Sequence, residues 1–384
     1  MTNHPGSYQV KSCEIEARLE KLRAKMTDTG IDQYVCFDPS NIYYLVNFSN
    51  VVHERPFLLV VSFDALHYVV PRLELPHVES QCVGPALLHE YSEFPAPAGH
   101  RWIDALKNVI RPNSRIGIES ACPAYLSSAL GSNTVCVNLV DTLREVKSPH
   151  EIDRIRYAGS LMVEALGKML SVTRPGRSVA EVIGSAAASA VPRALAEVEN
   201  FAFSATGVTG FIQTPNASHD PHNGYCINEK FGVGGPNVSL VFGRVNGYGA
   251  EVERTFFLDS VPEEARRPFD FMMDMRRSSY ERLRPGAVGS EIDRACRDIL
   301  RAGGYGEALH RCGHSFGVTS HEGPFLADGA DNLIVPGNIF SIEPGVYIKG
   351  IGGFRHSDTV LVTPDGCENL TPFPDTLSEL IFGT

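Results

Sequence analysis

Apolar residues recur at helical spacing near the start of the chain, at Ile15, Leu19, Leu22 and Met26, and Gly30 ends the run. That pattern predicts an amphipathic helix. The residues before it, 1–12, read as a loose leader. Short apolar runs then predict strands at 34–37, 57–63 and 65–70, with turns at "DPSN" (38–41) and near Asp64. A helix is predicted over 102–109, and strands over 115–119 and 135–140. Alternating strands and helices predict a compact α/β domain over residues 1–147.

The pattern changes at "LREVKSPHEIDRIRYAG". Ser148 can cap a helix, Pro149 suits its first position, and Glu151 completes a capping box. The helix is expected to run to about Leu170. Further helices are predicted from Val179, over 263–283 and from Ser290, the last ended by Gly303 and Gly304. Gly-rich strand segments lie between and after them, at 238–258, 338–348 and 352–363. Residues 148–384 therefore read as an α+β domain.

Composition adds exclusions. The 384 residues are 43% hydrophobic, enough for a core, so a fully disordered chain is excluded. Acidic residues outnumber basic ones 45 to 34, and no Lys/Arg block stands out. No nucleic-acid partner and no membrane-surface partner is expected. Nine cysteines, without CxxC or finger spacing, argue against a disulfide framework or structural zinc and for a reducing, cytoplasmic setting. The first eleven residues lack an apolar signal core, and no stretch is read as approaching the roughly twenty apolar residues of a membrane span.

Candidate chemistry concentrates in five Gly-rich segments. "ASHDPHNG" holds His219 and His222; "NGYGAEVERTFFL" holds Tyr248, Glu251 and Glu253. "RCGHSFGVTSHEGP" holds His314 and His321, "FSIEPGVY" holds Glu343, and "GGFRHSDTVLV" holds Arg355, His356 and Asp358. Strand alternation puts Glu251 and Glu253 on one face. Carboxylates in apolar strands must be paired, hydrogen-bonded or shifted in pKa. Several His and Glu facing one cleft suit acid–base work or metal ligation. Taken singly, Glu253 beside Arg254 is equally a plain strand ion pair, and a loop histidine is usually just a satisfied or exposed one.

In order along nearly the whole chain, these segments resemble the creatinase / aminopeptidase P / methionine aminopeptidase superfamily, the "pita-bread" enzymes. "NIYYLVNF" and "ERPFLLVV" resemble its N-terminal domain; "GYGAEVERTFFL", "GHSFGVTSHEGP", "SIEPGVY" and "GGFRHSDTVLVTPDGCENLT" resemble its catalytic domain. The resemblance implies an α/β N-terminal domain (1–147) plus an α+β C-terminal pita-bread domain (148–384). The superfamily's peptidases hold two metal ions through Asp, Asp, His, Glu and Glu. Those positions fall here on Leu240, Glu251, His314, Glu343 and Ser357. Two of the five cannot serve as they stand, so loss of the metal pair is expected.

The metal-free branch, represented by creatinase, is similar in detail. "EVERTFFL" resembles its "ALERTLFL", and "GHSFG" is shared. The resemblance implies a homodimer whose active site is shared between subunits, with His222, Glu253, His314 and Glu343 as catalytic residues. Arg55, His219, Tyr248, Glu251, His321 and Arg355 are the implied substrate contacts. Creatinase's second carboxylate-binding Arg has no counterpart in "SHEGPFLADGADN". The resulting expectation is a metal-independent, cofactor-free enzyme. It would cleave a C–N or related bond of a small polar substrate by His/Glu acid–base catalysis, as hydrolase or lyase. Two alternatives stay open. One is an Xaa-Pro dipeptidase with a degenerate metal site at Glu251, His314 and Glu343, joined by His356 or Asp358. The other is a non-catalytic peptide-binding module.

Overall fold

A computed structural model describes residues 10–50, 54–224 and 226–383. Most of the predicted leader, residues 1–9, lies outside them. The chain divides into two compact units, one spanning 9–144 and one built on 145–384.

The first unit starts with α1 (Ser12–Thr29), whose Ile15, Leu19, Leu22 and Met26 are buried and whose C-cap Gly30 takes the left-handed conformation at φ 65°. β1 (Gln33–Cys36) follows, then α2 (Pro39–Val46). "DPSN" is therefore a helix start rather than a turn. Asp38 caps α2 by accepting from the Ser40 and Asn41 N–H groups, and Pro39 occupies the first helical position. β2 (Leu58–Ser62), β3 (Leu66–Pro71), α3 (Leu75–Gln81), β4 (Ala86–Tyr91), α4 (Trp102–Val109), β5 (Ile116–Ile118), α5 (Ala124–Leu130), β6 (Thr134–Cys136) and α6 (Leu139–Arg144) complete it. Among the described residues the strands form one mixed sheet, ordered β4-β3-β2-β1-β5-β6. Residues 135–140 are not one strand: the chain leaves the sheet after Cys136. The Tyr34 hydroxyl donates to the Val137 carbonyl at 2.8 Å and accepts from the Leu139 N–H at 3.1 Å, turning the chain into α6.

The second unit opens with α7 (Pro149–Ser171), whose Ser148–Glu151 capping box is formed. α8 (Val179–Glu197) has the same device, from Ser178 and Glu181. By length and composition alone α8 is apolar enough to cross a membrane, contrary to the expectation that no stretch would be. In the fold its buried stripe of Val179, Val182, Ala186, Ala190 and Ala194 belongs to the core shared with α7. β7 (Gly207–Gln213), α9 (Pro215–Ser218), β8 (Gly234–Val245) and β9 (Tyr248–Leu258) follow. β8 and β9 form a hairpin closed by Asn246 and Gly247, at φ 41° and 86°. Two successive positive φ values are what a tight right-twisting hairpin requires, and Asn-Gly supplies them.

Two helices, α10 (Glu263–Arg282) and α11 (Gly289–Ala302), lead to β10 (Gly313–Ser315), β11 (Glu322–Leu326), β12 (Ile339–Ile342), β13 (Gly345–Ile348), β14 (Gly352–Arg355) and β15 (Ser357–Thr363). The main sheet runs β11-β10-β12-β15-β9-β8-β7, and β13 pairs with β14. Gly313 is required at its place: a Cβ there would collide with the Ser341 carbonyl of β12. Gly243 likewise lets β8 lie close to β7, where a Cβ would meet the Gly207 carbonyl.

β9 carries charge on both faces. Val252 and Arg254 face the helices; Glu251 and Glu253 face the other way. Arg254 is wholly buried. Its guanidinium donates to the Asp358 carboxylate at 2.8 Å and to the carbonyls of Glu253, Ser357, Phe373 and Pro374. Asp358 also binds Arg276 of α10 and accepts from the Tyr280 hydroxyl at 3.0 Å. The plain ion pair between neighbours Glu253 and Arg254 does not form, because alternation points the two side chains apart. Breaking a buried charge network by removing one partner typically costs about 3–5 kcal/mol. Asp358→Ala is therefore expected to lower the unfolding free energy by about that amount, measured by urea denaturation. A loss below about 1 kcal/mol would contradict the network's role.

Candidate active site

The site grows from three strand pairings. β9 lies between β8 and β15, with Glu253 opposite Leu240 on one side and Ser357 on the other. Glu251 is two residues back on the same face, opposite Phe242. Its carboxylate accepts from the Ser357 hydroxyl at 2.6 Å, and its backbone N–H is 3.0 Å from the Thr359 hydroxyl. β10 brings in His314. Glu343 follows the end of β12, its N–H donating to the Cys312 carbonyl at 2.9 Å.

One donor atom each from Glu251, His314 and Glu343 lies within 4.8 Å of the others, the one such cluster found among the described residues. His314 Nδ1 is 3.2 Å from the Ser315 carbonyl, which can only accept, so Nδ1 carries the proton. Burial pushes this imidazole down to about 4, against the opposing pull of Glu343, so the ring is neutral. Its Nε2 lone pair then faces Glu343 Oε1 at 3.3 Å. Two lone-pair atoms held face to face repel unless a cation or proton lies between them. A histidine whose other nitrogen is fixed by a carbonyl is also the usual geometry of a metal ligand. Burial and then the neighbouring Glu343 push the Glu251 carboxyl well above the ordinary range. The donor set of one imidazole and two carboxylates thus fits a single divalent ion. It does not fit a pair: Leu240 has no donor, and the Ser357 hydroxyl is spent on Glu251.

Beside this cluster lies a second unit of charge. Arg355 grips Glu253 bidentately, Nε at 2.5 Å and Nη2 at 2.7 Å. Its Nη1 donates to the Tyr347 hydroxyl at 3.0 Å. That hydroxyl is 2.7 Å from His310 Nε2, and His310 Nδ1 is 2.7 Å from the Arg311 carbonyl. The direction is forced: Arg355 donates to Tyr347, Tyr347 to His310, and His310 to the carbonyl. Tyr347 and His310 were not singled out from sequence. Tyr347 ends the quoted "SIEPGVY" and His310 stands four residues before His314.

The remaining histidines sit around the cluster. The His321 ring lies 4.0 Å from that of His314, centroid to centroid. His222 is on an exposed turn and acts electrostatically on both His310 and His321. The loop bearing His321 is anchored by Lys147, whose buried ammonium is 2.9 Å from Glu322 and 2.7 Å from the Ser315 hydroxyl. His219 is half-buried and caps α9.

Other expectations need correction. Tyr248, taken as a substrate contact, is buried on the opposite face of β9, its ring 6.2 Å from that of His150 of α7. Residues 248 and 251 differ by an odd step, so alternation separates them. His356 and Asp358, considered as extra ligands, also point to the helix side. The His356 ring packs edge-on against Phe269 at 5.4 Å, and Asp358 is neutralised by Arg254 and Arg276. Arg55 is not among these corrections: it is expected to act from a partner subunit, and within the chain it lies in the first unit, paired with Glu93 at 3.0 Å and Glu54 at 3.4 Å.

Residues 153–364 match the family described as "Metallopeptidase family M24", and residues 18–146 match "Creatinase/Prolidase N-terminal domain". A "Probable dipeptidase PepE" of Mycobacterium bovis is 29% identical, covering 95% of this chain and 96% of its own length. An "Xaa-Pro dipeptidase" of Pyrococcus furiosus is 25% identical, covering 93% and 98%. The crystal structure of dipeptidase PepE from Mycobacterium ulcerans superposes with a TM-score of 0.82 at 25% identity, covering 98% and 100%. These matches, together with the three-donor cluster, overturn the metal-independent, creatinase-like reading. The two-domain pita-bread architecture expected from sequence is shown, and the chain belongs to metallopeptidase family M24.

Proposed function

We propose that this chain hydrolyses the peptide bond of short peptides, dipeptides of the Xaa-Pro type first among them. The observation that carries the reading is the convergence of Glu251, His314 and Glu343 within 4.8 Å, with His314 Nε2 3.3 Å from Glu343 Oε1. The names of the relatives supply the substrate class.

Glu251, His314 and Glu343 are the residues that would hold a divalent cation. When bound, such an ion polarises a carbonyl and makes water acidic enough to attack at neutral pH. The chain's own residues do the rest. The Ser315 carbonyl fixes the His314 tautomer, and the Ser357 hydroxyl orients Glu251. His222 and His321 are the imidazoles within reach of solvent, and they carry the proton that the departing amine needs. The bidentate Arg355 keeps the Glu253 carboxylate from swinging toward the cluster.

Two outcomes follow. With Mn²⁺ or Co²⁺ supplied, the purified protein is expected to cleave an Xaa-Pro dipeptide, lose activity on exhaustive EDTA treatment and regain it on adding the ion back. Activity that survives complete removal of metal, or no cleavage of any dipeptide tested, would sink the reading. His222→Ala is expected to lower kcat by about 10²–10⁴-fold, the usual worth of a positioned acid–base group, with KM little changed. Unchanged kcat in a folded His222→Ala protein would remove His222 from proton transfer.

A further inference from the structure

We propose that this cleft takes one divalent cation per chain and no second, because a tethered guanidinium, Arg355 on Glu253, serves the neighbouring position. The inference rests on the peptidase reading and concerns how its site is charged.

Three strands present their side chains to the same spot. Leu240 of β8, Glu253 of β9 and Ser357 of β15 are register partners, so they share one face of the sheet. A second ion adjoining the first would draw its ligands from here, and every polar atom is already engaged. Leu240 offers hydrocarbon. The Ser357 hydroxyl donates to Glu251 at 2.6 Å. Both Glu253 oxygens are held by Arg355, at 2.5 and 2.7 Å. The Thr359 hydroxyl, one step further along β15, is tied to the Glu251 backbone. Arg355 itself is fixed by Tyr347, which is fixed by His310, so the guanidinium cannot leave without dismantling a buried chain.

Charge leads to the same count. Glu251, Glu253 and Glu343 bring three negative charges when ionised. Arg355 and one divalent cation cancel them; a second divalent cation would leave a surplus of two in a site walled by protein. Buried charge without compensation is costly, so the neutral count is the favoured one. The Arg355–Glu253 pair is bidentate and almost fully enclosed, the geometry in which a guanidinium holds a carboxylate most firmly.

The test is metal stoichiometry rather than turnover. The full chain is loaded with excess Mn²⁺, dialysed against metal-free buffer, and its metal counted by mass spectrometry of the elements. The same sample is examined by electron paramagnetic resonance. One Mn²⁺ per chain with the signal of an isolated ion is the expected result, and His314→Ala should drop the count to near zero. Two ions per chain, or the signal of a spin-coupled pair, would overturn the inference while leaving the peptidase reading intact. No bound ion in the wild-type chain would overturn both. An ion retained in folded His314→Ala would place it elsewhere and also overturn the inference.

Discussion

The alternation of β9 is the constraint on which the site depends. Within five residues the strand places Glu251 and Glu253 in the cleft and Arg254 in the core behind it. Each charge is answered on its own side: Arg254 by Asp358, Glu253 by Arg355, Glu251 by the Ser357 hydroxyl. A slip of one residue would exchange the faces and leave several charges buried without partners. The hairpin turn at Asn246-Gly247 and the long pairing with β8 hold the register against that slip.

β15 repeats the device. Arg355 and Ser357 join the cleft, while His356 and Asp358 join the helix side, where α10 supplies Arg276 and Tyr280. The two faces are therefore coupled through shared backbone. The core-side network stiffens the strands that present the acidic groups, which favours a preorganised cluster over one assembled by a ligand. His314 and Glu343 approach from the far side on β10 and the end of β12, which can lie close because Gly313 has no side chain.

Much of this was legible in the chain. The Ser148–Glu151 and Ser178–Glu181 boxes, the Gly30 stop and the strand segments at 238–258 follow from local chemistry that tertiary contacts did not override. The segment 38–41 misled because Asp-Pro-Ser-Asn serves a turn and a helix N-terminus equally well; the apolar run after it made the helix. Residues 135–140 misled because the signal that ends β6 is the hydroxyl of Tyr34, a hundred residues away. The family resemblance puts Tyr248 at the substrate, whereas strand parity turns it to the helix side, against His150. The metal-independent expectation came from counting lost ligands at Leu240 and Ser357. A count of positions cannot show that the remaining three donors still converge, or that one of them presents a lone pair to another.

That convergence is the centre of the account, and anomalous diffraction tests it most directly. Crystals of the full chain grown with Mn²⁺ or Co²⁺, measured at the metal's absorption edge, should show one strong peak between Glu251, His314 and Glu343. The absence of any peak there, at ion concentrations that saturate the protein in solution, would contradict it.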